Sequence, residues 1–207
     1  MWWELSESSQ QLSDLVAGVD EVGRGALFGP VVAAAVILPA SAWPILIAAE
    51  IKDSKKLSSD RRVKLGLQIC ELATAWSIGL ASAAEIDKLN ILQATLLAMK
   101  RAVVKLQVLP SLCLVDGNQS IKDLGIQQQT IVKGDERSLN IAAASIIAKV
   151  WRDQLVTDLA SQYPAYNLEQ NKGYGSQKHL IALRQQGPSP LHRQSFRPCK
   201  PEKIAPE

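Results

Sequence analysis

The sequence has little of what would tie it to an oxidising compartment, a membrane or a nucleotide cofactor. Its three cysteines, Cys70, Cys113 and Cys199, are odd in number, widely spaced and free of any CxxC. Neither a disulfide framework nor a zinc cage can be assembled from them, and a reducing, cytoplasmic setting is expected. The first fifteen residues carry Glu4, Glu7 and Asp14 but no Lys or Arg, unlike the basic start of a secretory signal. The most apolar stretch, 31–49, is interrupted by Pro39 and Pro44, which leaves no run able to span a bilayer. No Walker A sequence occurs. Gly23, Gly25 and Gly29 open a β-branched run, where a dinucleotide fingerprint would open a helix.

What is present is a chain of 207 residues with 47% hydrophobic and 21% charged residues, the balance of one globular domain. A domain of this size buries roughly 70% of the surface its unfolded chain exposes, so a core needs no metal or disulfide staple. The net charge of +3 is unevenly spread: residues 1–50 contain one basic residue, Arg24, and six acidic ones. An acidic N-terminal segment thus precedes a basic remainder. Ordinary solvated surface would account for this; so would a polyanionic substrate held by basic residues while clustered carboxylates hold metal at the reacting phosphate.

Short β-branched runs predict strands at 15–19 and 31–38, a third at 74–81 where Trp76, Ile78 and Leu80 alternate, and further strands at 112–115 and 129–132. Ser58 and Ser59 can cap a helix to Leu72 with Val63, Leu67 and Cys70 on one face. Apolar spacing predicts one long helix over 85–108, another capped near Ser138 and ending near Ser161, and a last one over 176–186 before a Pro-rich tail expected to fray. Three early strands in a meander, with later strands added through helical crossovers, predict a mixed α/β sheet flanked by helices.

Four carboxylates fall where element ends can converge: Asp20 and Glu21 after the first strand, Asp116 after the fourth, and Asp153 on the late helix. Grouped carboxylates repel unless a hard divalent cation neutralises them, and oxygen-only ligands suit Mg2+ or Mn2+. Two such ions, roughly 3.5–4 Å apart, can activate a water and stabilise the leaving oxygen of a phosphodiester. Each Asp taken singly could equally be a turn residue or a helix cap. Helical steps back from Asp153 reach Lys149, Ile146, Ser145 and Ala142, a face small enough to let the helix approach the sheet. The glycines at 23 and 25 permit close approach of backbone to a ligand.

The run Gly18-Val-Asp-Glu-Val-Gly-Arg-Gly-Ala-Leu-Phe-Gly-Pro30, continuing to Val36, closely resembles the first signature of the type 2 ribonucleases H, the bacterial ribonuclease HII family. Six later blocks follow in the family's order: Asp53-Ser-Lys-Lys-Leu-Ser58, Val115-Asp-Gly-Asn118, Lys133-Gly-Asp135, the segment 141–153, Asn171-Lys-Gly-Tyr-Gly-Ser176 with His179, and the segment 192–198. Ala26 and Phe28 depart from the Pro and Ala commonest at those positions. The resemblance implies a ribonuclease H-like fold, a five-stranded mixed sheet with a small helical C-terminal part. Along the chain it implies an N-terminal extension (1–14), a catalytic domain (15–198) with its helical part from about 163, and a flexible tail (199–207).

It further implies Asp20, Glu21, Asp116 and Asp153 as the catalytic, metal-binding set, with Mg2+ or Mn2+ as cofactor and two ions in the reacting complex. The backbone at Gly23, Arg24 and Gly25 would read the ribose 2′-hydroxyl, and Tyr174 would stack on the neighbouring deoxyribose. Lys55 and Lys149 are candidates for phosphate contacts, or else solvated lysines. His179 could touch substrate or make a structural hydrogen bond, and His192 reads as structural. The expected partners are RNA/DNA hybrids and ribonucleotide-containing DNA, cut to 3′-hydroxyl and 5′-phosphate ends. No membrane partner and no sliding-clamp tail are expected, and the chain is expected to act as a monomer. The alternatives are a non-catalytic hybrid binder and another nuclease on the same fold.

Overall fold

The structure is a computed structural model and describes residues 15–51 and 57–200. Strands β1 (Val16–Val22), β2 (Val31–Ile37), β3 (Ala75–Ala81), β4 (Leu112–Asp116) and β5 (Gln127–Ile131) form one sheet in the order β3-β2-β1-β4-β5. The first three pair antiparallel as a meander, and β4 and β5 add parallel to β1. This is the expected five-stranded mixed sheet.

Two layers of helices cover it. On one face α4 (Ile91–Val104) packs Ala94, Ala98, Met99 and Ala102 against Val19, Ala33 and Ala35. On the other, α1 (Trp43–Ala48), α2 (Ser59–Leu72) and α5 (Leu139–Ala160) close over Ala34 and Val36. Beyond the sheet, α6 (Leu168–Asn171), α7 (Gln177–Gln186) and the segment to Lys200 form a separate cluster on Leu27, Phe28 and Val156. The segment expected to fray is packed here: His192, Arg193 and Cys199 are all buried. Phe28 meets Tyr163 and His192 edge-on, so this departure from the commonest family residue is a core contact of the C-terminal part.

Small residues set the layer spacing. A Cβ at Gly18 would overlap the backbone of Asn140 and Ile141, and one at Gly79 would overlap that of Ala98 and Ala102. The Asn140 side-chain amide donates to the Val16 carbonyl at 2.7 Å, which fixes the start of α5 on β1. Ser138 caps α5 as expected, its side chain accepting from Ile141 N–H.

Two expectations change. The helix expected over 85–108 is two, α3 (Ala83–Leu89) and α4, because Asn90 adopts φ 74°. Its N–H closes α3 on Ile86, and its side-chain oxygen accepts from Gln93 to start α4, which suits a residue that both tolerates positive φ and caps well. In α2 the buried side is Leu65, Gly66 and Ile69, while Val63 and Leu67 are exposed. The helix turns the side with Gly66 towards Ile146 and Val150 of α5, and close approach outweighs apolar count. Likewise in β3, Ser77, Gly79 and Ala81 face α4, whereas Trp76, Ile78 and Leu80 take the opposite side. The N-terminal extension and Lys55 lie outside the described residues.

Replacing Gly18 with Ala is expected to cost about 3 kcal/mol or more, since both contacts are backbone and cannot yield. Leu67→Ser should change stability by no more than about 0.5 kcal/mol. Urea denaturation of both variants checks this.

Candidate active site

Parallel pairing of β1 with β4 ends at Val19 beside Val115, so the next residues along, Asp20 and Asp116, sit side by side where the two strands part. Asp20 and Glu21, expected after the first strand, lie within β1 and stay paired with β2, and Asp116 stays paired with β5. Carboxylate oxygens of Asp20, Glu21 and Asp116 lie within 4.8 Å of one another. Asp20 is only 6% exposed. Its Oδ1 accepts from Glu21 N–H at 2.7 Å; Asp116 Oδ1 accepts from Gly134 N–H at 2.7 Å, tying the β4 end to the loop after β5. Glu21 pairs with Arg24 at 3.1 Å, which links the acidic cluster to the glycine turn.

Burial, and after it the charges of Glu21 and Asp116, push Asp20 well above the ordinary carboxylate range, although the Ser145 hydroxyl and the Glu21 N–H favour its charged form. Burial also raises Glu21, with Arg24 pulling the other way. A buried carboxylate held against two others is an uncompensated charge. An all-oxygen donor set of this kind fits a hard divalent cation.

These groups line one cleft of 480 Å³ together with Arg62, Lys133, Asp135, Ser145, Lys149 and Tyr174. Tyr174 sits over two cations, with Arg152 at 5.3 Å and Lys149 at 5.8 Å from the ring centre. Asp153 is not in the cluster. Its carboxylate pairs with Lys149 at 2.8 Å, and it lies eight residues beyond Ser145, about 12 Å along the axis at 1.5 Å per residue. Helix face sets direction but not axial position, and at this axial distance Asp153 is outside both the carboxylate cluster and the cleft lining. Asp135 lines the cleft instead. It follows the end of β5 in Lys133-Gly-Asp135, and the parallel pairing of β5 with β4 brings that end beside Asp116.

Gly23 and Gly25 flank Arg24 at the cleft edge; Gly23 has φ +89° and rests on the Arg152 side chain, while a Cβ at Gly25 would meet nothing within 4 Å. His179 and His192 are structural. His179 Nδ1 donates to the Tyr174 carbonyl at 2.9 Å, and His192 Nε2 lies 2.9 Å from His179 Nε2. Ser189 N–H donates to His192 Nδ1 at 2.9 Å, so His192 must donate to His179, and this buried chain ends on the Tyr174 loop. Lys172 donates to Thr157 Oγ1 at 2.7 Å.

A mixed five-stranded sheet of this order, with carboxylates at the ends of parallel strands, is the ribonuclease H-like architecture with an acidic site whose donors suit a divalent cation. Residues 17–199 match the family described as Ribonuclease HII. The ribonuclease HII of Nostoc sp. (strain PCC 7120 / SAG 25.82 / UTEX 2576) is 70% identical over 199 residues, 96% of this chain and 88% of that protein. That of Acaryochloris marina (strain MBIC 11017) is 61% identical over 91% of this chain and 95% of its own length. Among solved structures, ribonuclease H2 from Pyrococcus horikoshii OT3 superposes with a TM-score of 0.76 at 25% identity, covering 89% of this chain and 94% of that one. Bst-RNase HIII in complex with Mn2+ shares the fold at a TM-score of 0.72 and 20% identity, covering 92% and 70%. The chain belongs to the ribonuclease HII family and is a ribonuclease H enzyme. Among the described residues, no helix is long and apolar enough to cross a membrane.

Asp20 keeps its proton to a higher pH when folded than when unfolded, so the stability this contributes is lost as pH rises through its folded pKa. Asp20→Asn should therefore raise Tm in EDTA above neutral pH. Wild type should gain about 2.7 kcal/mol at a Mg2+ or Mn2+ concentration near 100 Kd, a gain largely missing in Asp20→Asn. Thermal melts with and without the ion test both.

Proposed function

We propose that the protein is a divalent-metal-dependent endoribonuclease that hydrolyses the RNA strand of RNA/DNA hybrids and cuts at ribonucleotides embedded in duplex DNA, leaving 3′-hydroxyl and 5′-phosphate ends. The observation that carries this reading is the convergence, in one cleft, of the Asp20, Glu21 and Asp116 carboxylates with Tyr174, beside the Gly23–Gly25 turn that the Glu21–Arg24 pair ties to them.

Asp20, Glu21 and Asp116 would hold Mg2+ or Mn2+, with Asp135 as the fourth carboxylate in place of Asp153. When bound, two such ions lower the pKa of water and neutralise charge at the phosphate. The chain's own residues do the rest. Gly134 N–H on Asp116 and Glu21 N–H on Asp20 fix which oxygens remain free for the ions. Lys149 and Lys133 supply positive charge along the cleft wall for the flanking phosphates. The Gly23-Arg24-Gly25 backbone meets the 2′-hydroxyl, the one group that distinguishes RNA from DNA at a single site. Tyr174 offers its ring to the next sugar, held from behind by the His179 bond to its carbonyl. A binder without catalysis would gain affinity by shedding three carboxylates next to phosphates, and their retention favours hydrolysis.

Cleavage of a duplex carrying one ribonucleotide, with and without Mg2+, tests the proposal, and efficient cutting of the all-DNA duplex would sink it. Asp20→Asn, Asp116→Asn and Asp135→Asn should each lose at least the ~10²–10³-fold typical of removing one preorganised charge contact, while Asp153→Asn stays within about tenfold of wild type. Tyr174→Ala should lose more on the single ribonucleotide than on a long hybrid, and Tyr174→Phe should lose little on either.

A further inference from the structure

Two arginines carry charge into the interior. Arg152 and Arg193 are both 0% exposed, and among the described residues neither forms an ion pair with a carboxylate. Burial of an unpaired guanidinium costs several kcal/mol unless its donors are satisfied. Both spend them on backbone carbonyls of the glycine turn and its exit. Arg152 donates to Pro30 (3.1 Å), Phe28 (3.0 Å) and Lys172 (2.9 Å), joining that exit to the Tyr174 loop. Arg193 donates from Nε to the Gly29 carbonyl at 3.0 Å, from Nη1 to Arg24 at 2.8 Å and from Nη2 to Gly23 at 2.7 Å.

The last two bonds have a directional consequence. In a trans peptide the carbonyl and the following N–H point to opposite sides. With the Gly23 and Arg24 carbonyls turned inward onto one guanidinium, the N–H groups of Arg24 and Gly25 are turned outward. Ala26 N–H is occupied by the Gly23 carbonyl at 3.2 Å. The Arg24 and Gly25 N–H groups meet no acceptor among the described residues, and the space at the Gly25 Cα is open. Two consecutive donors are thereby aimed away from the core by a rigid planar fork, which a lysine ammonium cannot imitate.

We propose that Arg193 is the positioning residue of ribose recognition: by holding the Gly23 and Arg24 carbonyls, it presents the Arg24 and Gly25 N–H groups to the 2′-hydroxyl. This rests on the reading that the 23–25 backbone meets that hydroxyl. Arg193 touches no substrate and acts through the turn. Phosphate contacts elsewhere in the cleft are independent of it, so its loss separates ribose preference from overall affinity.

Fluorescence anisotropy in the Asp20→Asn background measures this without cleavage, using a duplex with one ribonucleotide and the same duplex as all DNA. The parent should bind the ribonucleotide duplex more tightly. Adding Arg193→Lys or Arg193→Gln should weaken that complex roughly tenfold, the loss of one or two hydrogen bonds, while affinity for all-DNA duplex stays within about twofold because phosphate contacts carry it. Lys should retain more preference than Gln. A preference left intact in both variants, or equal loss on both duplexes, overturns the proposal; so does failure of both variants to melt cooperatively, which would assign Arg193 to the core alone. A parent that binds the two duplexes equally overturns the underlying 2′-hydroxyl reading instead.

Discussion

Repulsion among three carboxylates is the constraint around which this molecule is arranged. Asp20, Glu21 and Asp116 are brought together by pairing that the sheet cannot relax: β1 and β4 are parallel neighbours in a register that sets Val19 beside Val115. Two backbone N–H groups, of Glu21 and Gly134, and the Ser145 hydroxyl soften the repulsion without removing it. Ser145 can reach Asp20 only because α5 lies close on β1, where Gly18 leaves no side chain between the two backbones. The small-residue layer and the acidic cluster are therefore one device: close packing supplies the rigidity, and the rigidity holds charge where an unconstrained chain would let it separate.

The second half of the site is built from the opposite sign. Arg152 and Arg193 are wholly interior and bind carbonyls of the glycine turn, its exit and the Tyr174 loop. The C-terminal part packs around them through Phe28, Tyr166 and the His179–His192 pair. One wall of the cleft thus carries carboxylates suited to cations, and the adjoining edge carries oriented backbone donors and an aromatic ring. The Glu21–Arg24 pair joins the two.

Much of this was legible in the residues. Alternation and β-branching located all five strands, and Ser58, Ser138 and Ser176 marked helix starts that the structure keeps. Less legible were features set by tertiary approach. Asn90 interrupts an unbroken apolar period through its own backbone conformation, and α2 buries Gly66 while leaving Leu67 in water because helix proximity counts for more there than hydrophobicity. Asp153 shares a helical face with Ser145, yet periodicity says nothing of distance along the axis. Asp135 becomes a cleft residue only once β5 is known to run parallel to β4. The buried role of Arg193 left no trace in pattern at all, since a long basic side chain near a Pro-rich segment reads as surface.

The central claim is that the fold holds Asp20 against its own charge until a cation relieves it. The most direct measurement is a carbon-detected NMR titration of the Asp20 carboxyl, with and without Mg2+. The account predicts a midpoint clearly above the ordinary aspartate range in the absence of the ion and a shift well below that midpoint in its presence. An Asp20 that titrates near its ordinary value of about 3.9, and does not respond to Mg2+, would contradict it.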